Sequence, residues 1–331
     1  MTHGANIYKY AKILKCTPEE IIDFSSNINF LTPNTQSLIT PELIAKYPDP
    51  NYKELKNNIA QNYTLDTKNI ALYNGATSAV YALFSHLKQK SVYLYAPLYG
   101  EYEKAALKSK KDIYKINRIE DIHMEVEEKS IVVFVNPSTP EGSYYELEEL
   151  LDEWIEKKCI IILDESFLEF ENLKSYRTEI QNYKKLYIIQ SFSKFYAAAG
   201  LRVGAIFSHK KNIKNLPQPL WNISGVDSFI LQQRLKDEAF KVESRLKHAE
   251  QKEELQTILK ECGLFEQMVE SEANFILVKS HRANDIFNHL LEQKILVRTC
   301  WSFDYLDHSY LRFAVKDKAV HAALKSAFEA F

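Results

Sequence analysis

Two cations lie eight positions apart in an apolar stretch of this chain. Lys194 and Arg202 belong to SFSKFYAAAGLRVG (191–204), where aromatic residues and three consecutive alanines are typical of a protein interior. Burying a charge without a partner is costly, so this composition suggests a role for the lysine beyond solubility. A buried lysine with a lowered pKa can form a Schiff base with a carbonyl compound. For this segment alone, the alternative interpretation is an exposed lysine at a turn.

Pyridoxal phosphate is the best-known carbonyl partner of such a lysine, and it needs three further provisions: a phosphate cradle, a carboxylate at the pyridine nitrogen and a wall against the ring. NGAT (74–77) lies where a predicted strand gives way to a helix, and the free amides of a helix start suit a phosphate, although an ordinary helix begins in the same way. Asp164 ends the apolar strand CIIILDES (159–166), where its carboxylate requires a cationic partner. Tyr99 follows another predicted strand and is a candidate for the wall.

The elements that must position these residues alternate along the chain. Amphipathic helical segments separate short apolar runs that are typical of buried strands. These runs are residues 91–97, 130–137, 159–166, 185–192 and 203–208. The alternation predicts an α/β fold with a mostly parallel sheet between helices, in which ligands bind beyond the carboxyl ends of the strands.

A change of pattern after residue 225 predicts a second unit. A long charged helix is followed by three more apolar runs separated by helices, which indicates a smaller α+β domain. The predicted units are an N-terminal arm (1–45), a large domain (46–225) and a small C-terminal domain (226–331).

Composition argues against several classes of function. The chain has 331 residues, of which 46% are hydrophobic, and a net charge of −2, so it can bury a large core but offers no basic field to nucleic acid or an anionic membrane. Its four cysteines are widely spaced, which predicts a reduced protein without a zinc site. Neither a signal peptide nor a run of membrane-spanning length is visible, so we expect a soluble cytoplasmic protein.

The order of these motifs resembles the fold-type I pyridoxal-phosphate enzymes. The resemblance rests on S-x-S-K at 191–194, the arginine eight residues later and the Asp-Glu pair thirty residues before the lysine. It implies that Lys194 is the Schiff-base lysine, that Asp164 is the partner of the pyridinium nitrogen and that Tyr99 stacks on the ring. The implied phosphate ligands are Ala76, Thr77, Ser191 and Arg202.

The same resemblance implies a homodimer, and the chain departs from the family pattern at two positions. Tyr47 of KYPDP matches a tyrosine that reaches the cofactor phosphate of the neighbouring subunit. Thr139 stands where the family usually has the asparagine that bonds the pyridine 3′-oxygen, with Asn136 as an alternative donor. Phe167 stands where the family often has a tyrosine. We therefore expect the 3′-oxygen to lose two customary donors.

Segments near both ends of the chain closely resemble one branch of this family, the L-threonine O-3-phosphate decarboxylases of cobalamin side-chain synthesis. These segments are HGANIYKYAK (3–12), DFSSNINFLTP (23–33) and ILVRTCWSFDYLDHSYLRFAV (295–315). The resemblance implies that the substrate's phosphate and carboxylate are surrounded by His3, Asn27, Arg298 and Arg312. Taken singly, the histidine is also compatible with a frayed terminus, and each arginine with an ion pair.

The sister branch, the histidinol-phosphate aminotransferases, is the alternative. The bond that breaks at the substrate's α-carbon is the one perpendicular to the cofactor ring, which is the carboxylate for decarboxylation and the hydrogen for transamination. The same arginines serve either outcome, and we favour the decarboxylase. A protein that binds the cofactor without catalysis is a remote alternative, because no appended DNA-binding segment is visible.

Overall fold

A seven-stranded sheet dominates the part of the chain between residues 70 and 208, in a computed structural model that describes residues 6–33 and 39–331. In spatial order its strands are β2 (Ile70–Asn74), β8 (Val203–Ser208), β7 (Leu186–Ser191), β6 (Ile160–Asp164), β5 (Ile131–Val135), β3 (Ser91–Ala96) and β4 (Asp112–Asn117). Strand β8 is antiparallel to both of its neighbours, and all other adjacent pairs are parallel. The predicted mostly parallel sheet is confirmed.

Helices pack on both faces of this sheet. Because successive side chains of a strand point to opposite faces, Val132 and Phe134 of β5 join one core while Ile131, Val133 and Val135 join the other. The first core is covered by α3 (Lys53–Tyr63), α6 (Glu148–Glu156) and α8 (Gly225–Lys236). The second is covered by α4 (Gly75–His86), α5 (Glu101–Lys108) and α7 (Lys210–Asn215).

A second, antiparallel sheet, called the small sheet below, forms the C-terminal part of the chain. In spatial order its strands are β12 (Arg298–Thr299), β13 (Tyr310–Ala314), β10 (Phe275–Lys279) and β9 (Gln267–Met268). Three helices, α9 (Glu238–Glu261), α10 (Ala283–Glu292) and α11 (Lys318–Glu329), pack with it around a third apolar core. This agrees with the α+β character predicted for the region.

The N-terminal segment associates with this C-terminal part. Strand β1 (Ile22–Asp23) pairs in parallel with β11 (Ile295–Leu296), and α1 (Ile7–Leu14) packs beside that pair. A short helix, α2 (Pro41–Ala45), precedes α3. Within residues 6–33 and 39–331, no helix is both long and apolar enough to cross a bilayer.

Candidate active site

A cavity of about 300 Å³ lies where the carboxyl ends of β5, β6 and β7 meet the small sheet. Most of the side chains singled out in the sequence line it together. They are Asn27, Ala76, Thr77, Tyr99, Thr139, Asp164, Ser191, Lys194, Arg202, Arg298 and Arg312. A larger cavity of about 730 Å³, lined by several lysines together with small polar and apolar side chains, contains none of them.

Asp164 is the buried carboxylate at the end of β6. Its Oδ2 accepts a hydrogen bond from the Tyr102 hydroxyl at 2.7 Å, and its Oδ1 accepts one from the Ser166 amide at 3.0 Å. Burial raises the pKa of Asp164, while those hydrogen bonds and the charge of Lys194 oppose the rise. A cation placed against this buried carboxylate would therefore stabilise its charged form. Tyr102 was not predicted, because nothing in the sequence links its hydroxyl to a strand 62 positions further along the chain.

Lys194 follows β7 and is half-buried. Burial lowers its pKa to about 8, and the positive charges of Arg312 and Arg202 act in the same direction. Its amine therefore loses its proton much closer to neutral pH than an exposed lysine does, which is the property that a nucleophilic amine needs. The sequence-based expectation of a lowered pKa agrees with this environment.

The start of α4 supplies a cradle of hydrogen-bond donors. Gly75 has φ of +79°, and a Cβ there would lie 2.8 Å from Nη2 of Arg202. A Cβ at Gly204 of β8 would lie 2.2 Å from the Ala76 amide nitrogen, so glycine is required for this close approach. The hydroxyl of Thr77 lies 3.1 Å from that of Tyr99. These free amides and the helix dipole suit a phosphate.

Two serine hydroxyls complete this side of the cavity. Ser191 Oγ lies 2.7 Å from Ser193 Oγ, and both residues line the cavity. Ser193 was present in the S-x-S-K motif but was not assigned a role. Arg202 Nη1 donates to the Ala199 carbonyl at 3.0 Å, which leaves other guanidinium donors for a ligand.

Arg298 of β12 and Arg312 of β13 line the opposite side of the cavity, called the wall below. The two residues are direct partners in the register of these strands. Arg312 donates to Thr139 Oγ1 at 3.2 Å and to the Ser25 carbonyl at 3.3 Å. Arg298 donates to Ser302 Oγ at 2.9 Å. Burial lowers the pKa of both arginines, that of Arg312 to about 10. Neither forms an ion pair with a carboxylate of the described residues, so this wall carries uncompensated positive charge.

Four other residues were named in the sequence analysis, and their outcomes differ. The Asn136 side chain both donates to and accepts from the backbone of Tyr145, so it is engaged away from the cavity. Phe167 lines the cavity and packs edge-on against Phe275, with ring centres 5.2 Å apart. Tyr47 is 80% exposed and stacks on Trp221 outside the cavity. His3 lies outside the described residues.

A family model described as aminotransferase class I and II matches residues 4–327. The chain belongs to this family. Aminotransferases of class I and II depend on pyridoxal phosphate, which confirms the cofactor predicted from the sequence. The residues present fit that group, because the cavity combines a lysine of lowered pKa, a buried carboxylate and a helix start held close to Arg202.

Curated relatives of this aminotransferase-family chain carry two kinds of name. The adenosylcobalamin biosynthesis bifunctional protein CobDQ of Leptospira interrogans is 30% identical over 98% of this chain, which spans only 40% of that protein. A histidinol-phosphate aminotransferase of Flavobacterium johnsoniae is 28% identical, over 85% of this chain and 84% of its own length. A threonine-phosphate decarboxylase of Salmonella typhimurium is 25% identical, over 98% of this chain and 95% of its own length.

Solved structures agree on the fold. The histidinol-phosphate aminotransferase from Clostridium acetobutylicum has a TM-score of 0.84 and 28% identity, and the match covers 94% of this chain and 98% of that one. A histidinol-phosphate aminotransferase from Sinorhizobium meliloti, solved in complex with pyridoxal 5′-phosphate, has a TM-score of 0.82. That match covers 98% of this chain and 95% of the other, and at 16% identity it shows the fold alone.

Proposed function

We propose that this enzyme is a decarboxylase of a phosphorylated amino acid, with O-phospho-L-threonine as the favoured substrate. The observation that carries the proposal is the pair of buried arginines, Arg298 and Arg312, without carboxylate partners among the described residues. Two uncompensated cations side by side suit a ligand with two anionic groups, and this substrate has a phosphate and a carboxylate. The extent of the matches supports the same branch, because the adenosylcobalamin biosynthesis protein and the threonine-phosphate decarboxylase named above each match over 98% of this chain.

On this proposal, the cofactor binds on the side of the cavity called the floor below, which is formed by Asp164, Lys194, Ser191 and the start of α4. Asp164 would hold the pyridine nitrogen, and Tyr99 would cover the face of the ring. The phosphate is held by Ala76, Thr77, Ser191 and Arg202. When bound, pyridoxal phosphate accepts the electron pair of a bond that breaks at the substrate's α-carbon. The sequence resemblance also gives Thr139 a role toward the 3′-oxygen.

The chain's own groups then select the reaction. Arg312 holds the α-carboxylate and Arg298 the phosphate, with Asn27 and His3 completing the substrate site. Holding the two anions apart would fix the orientation of the α-carbon and thereby which of its bonds breaks. With its pKa lowered to about 8, Lys194 is able to return a proton to the α-carbon after carbon dioxide has left.

The second candidate is a histidinol-phosphate-type aminotransferase, which is favoured by the 28% identity to proteins of that name. One experiment separates the two. The holoenzyme is incubated with O-phospho-L-threonine, and separately with histidinol phosphate plus 2-oxoglutarate, while carbon dioxide and glutamate are measured. We expect carbon dioxide from phosphothreonine. Glutamate from histidinol phosphate without carbon dioxide release would establish the aminotransferase instead.

We further propose that the active species is a homodimer in which Tyr47 reaches the partner's cofactor phosphate. The exposure of Tyr47 and its stacking on Trp221 leave it available at the surface for such a contact. Mixing inactive Tyr47→Ala and Lys194→Ala proteins under conditions of subunit exchange should restore activity in one site of each hybrid. A fully active monomer in light scattering would contradict the dimer.

A further inference from the structure

The turn at residues 138–142, here called the joining turn, connects the two sides of the cavity. It is closed by hydrogen bonds from the Ser138 amide to the Ser143 carbonyl (2.8 Å) and from the Gly142 amide to the Ser138 carbonyl (3.1 Å). Gly142 has φ of +84°, and a Cβ there would lie 2.0 Å from Ser271 Oγ. The Glu272 amide donates to the Gly142 carbonyl at 2.8 Å, so the turn is attached to the segment that joins β9 to β10 of the small sheet.

A buried ion pair lies beneath the joining turn. Arg118 Nη2 and Nε lie 2.6 and 2.7 Å from Glu141 Oε1, and the two side chains are 0% and 5% exposed. The same guanidinium donates to the carbonyls of Thr139 (3.3 Å) and Tyr95 (2.8 Å). A buried pair of this kind is costly to break, because removing one partner leaves an uncompensated charge. It therefore holds the backbone of Thr139 in one place.

The Thr139 side chain faces Arg312 from this fixed backbone. Its Oγ1 accepts the hydrogen bond from Arg312 Nη1 at 3.2 Å. Among the described residues, that guanidinium also contacts the Ser25 carbonyl and the ring of Phe275, whose centre lies 4.6 Å away. Arg312 Nε has no partner among the described residues. Thr139 thus supplies a side-chain oxygen that limits how this guanidinium can turn.

We propose that Thr139 is a positioning residue for Arg312, held in place by the Arg118–Glu141 ion pair, and that it sets the affinity for the substrate's α-carboxylate. The inference rests on the proposed function of the same site and adds a residue that determines substrate affinity. It differs from the role implied by the sequence resemblance, in which Thr139 serves the cofactor's 3′-oxygen. The two roles predict different measurements.

Replacing Thr139 by valine keeps the shape of the side chain and removes the oxygen, whereas serine keeps the oxygen. The dissociation constant of O-phospho-L-threonine is measured by spectral titration of the holoenzyme, together with the pH titration of the bound cofactor's absorbance. We expect T139V to weaken substrate binding about tenfold, T139S to stay within about twofold of wild type, and neither variant to move the cofactor titration. A shifted cofactor titration in T139V, or unchanged substrate binding, would overturn the proposal.

A ligand without a carboxylate is the matched control. O-phosphoethanolamine retains the phosphate and the amine, so its binding should be the same in wild type and T139V. Equal weakening of both ligands would overturn the assignment of Thr139 to the carboxylate. If the wild-type holoenzyme binds L-glutamate but not O-phospho-L-threonine, the proposed function fails. The T139V to wild-type ratio for glutamate then tests the positioning role by itself.

The ion pair is tested with E141Q, checked for folding by thermal unfolding. We expect the folded variant to weaken phosphothreonine binding and to leave O-phosphoethanolamine unaffected. The double variant E141Q/T139V should bind phosphothreonine no more weakly than T139V, because both changes act on the same contact. Additive losses would show that Glu141 does not act through Thr139. If E141Q does not fold, the valine and serine variants decide the proposal.

Discussion

The floor and the wall of the cavity are held by different kinds of contact. On the floor, Asp164 and Ser191 end adjacent strands, and each has a polar partner two residues further along the chain, the Ser166 amide and the Ser193 hydroxyl. Only the Tyr102 hydroxyl reaches Asp164 from a distant segment among the polar contacts described above. On the wall, Arg312 contacts residues 173 and 287 positions away. The floor is thus set largely by local structure, whereas the wall depends on how the small sheet and the N-terminal segment meet the large one.

The two regions also differ in charge. The floor sets the carboxylate of Asp164 against the amine of Lys194, each of which shifts the pKa of the other toward its charged form. The wall has two buried arginines and no carboxylate within ion-pair distance among the described residues. A balanced floor suits a resident cofactor, and an uncompensated wall suits an anionic substrate that arrives and leaves.

The most severe expected loss comes from removing the amine of the floor. Lys194→Ala should reduce turnover of phosphothreonine by about 10⁴-fold, because proton transfer by a positioned side chain contributes up to that factor. The variant should still retain some cofactor through the phosphate cradle. Borohydride treatment of wild type followed by peptide mapping should place the cofactor on Lys194. An adduct on another lysine, or normal activity in the variant, would contradict the assignment, and the exposed Lys210→Ala is the control.

The amine of Lys194 should also make the stability of the cofactor-free protein depend on pH. The pKa of Lys194 is lowered from 10.5 to about 8 in the fold, so between these values the unfolded chain binds the additional proton. The stability contributed by this group therefore rises with pH over that interval. Relative to Lys194→Met, wild type should gain up to about 3 kcal/mol in free energy of unfolding between pH 8 and 10.5.

Urea unfolding at several pH values measures this gain. Lys210→Met changes an exposed position, so its free energy of unfolding should depend on pH as that of wild type does across the same range. If the free energy of unfolding depends on pH in the same way in wild type and Lys194→Met, the charged amine is not destabilised by its surroundings.

The wall is tested by comparing phosphorylated and unphosphorylated substrates. Loss of a charge-assisted contact costs about 1.5–3 kcal/mol, which corresponds to roughly ten- to a hundredfold. Arg298→Ala should therefore reduce kcat/KM for phosphothreonine by that factor and affect threonine much less. Arg312→Ala should reduce both if it holds the carboxylate. Equal losses for both amino acids in Arg298→Ala would refute a phosphate site there. Arg282→Ala is the control, because Arg282 is exposed at the start of α10 and does not line the cavity.

The smallest expected effect concerns the partner of Asp164. Tyr102→Phe removes the 2.7 Å hydrogen bond to the carboxylate and should weaken cofactor binding about tenfold, because bonds to a charged group contribute about 1.5 kcal/mol or more. Tyr95→Phe removes another buried hydroxyl, which accepts from Trp154, and should leave cofactor affinity unchanged. Equilibrium dialysis of cofactor gives both values. Equal cofactor affinities in the two variants would show that the Tyr102 hydroxyl does not contribute to cofactor binding.

Sequence patterns predicted the fold class well because strand and helix periodicities are local. Buried strands of five or six residues appeared as apolar runs, and four of the five runs ended near a candidate residue. The same reasoning missed Tyr102, since nothing in the α5 segment indicates that its hydroxyl reaches a strand 62 positions further along the chain. It also proposed Asn136 as a donor, although the fold engages that side chain with the backbone of Tyr145.

By itself, the sequence determined the α/β class, the family and the lysine and aspartate that point to the cofactor. It could do so because charged residues at the ends of apolar strands are costly to bury and therefore conspicuous. The tertiary structure alone decided that Arg298 and Arg312 lie side by side, and that Thr139 faces the second of them. Such contacts join distant segments, and a spacing along the chain carries no information about which side chains a folded sheet brings within 3 or 4 Å of each other.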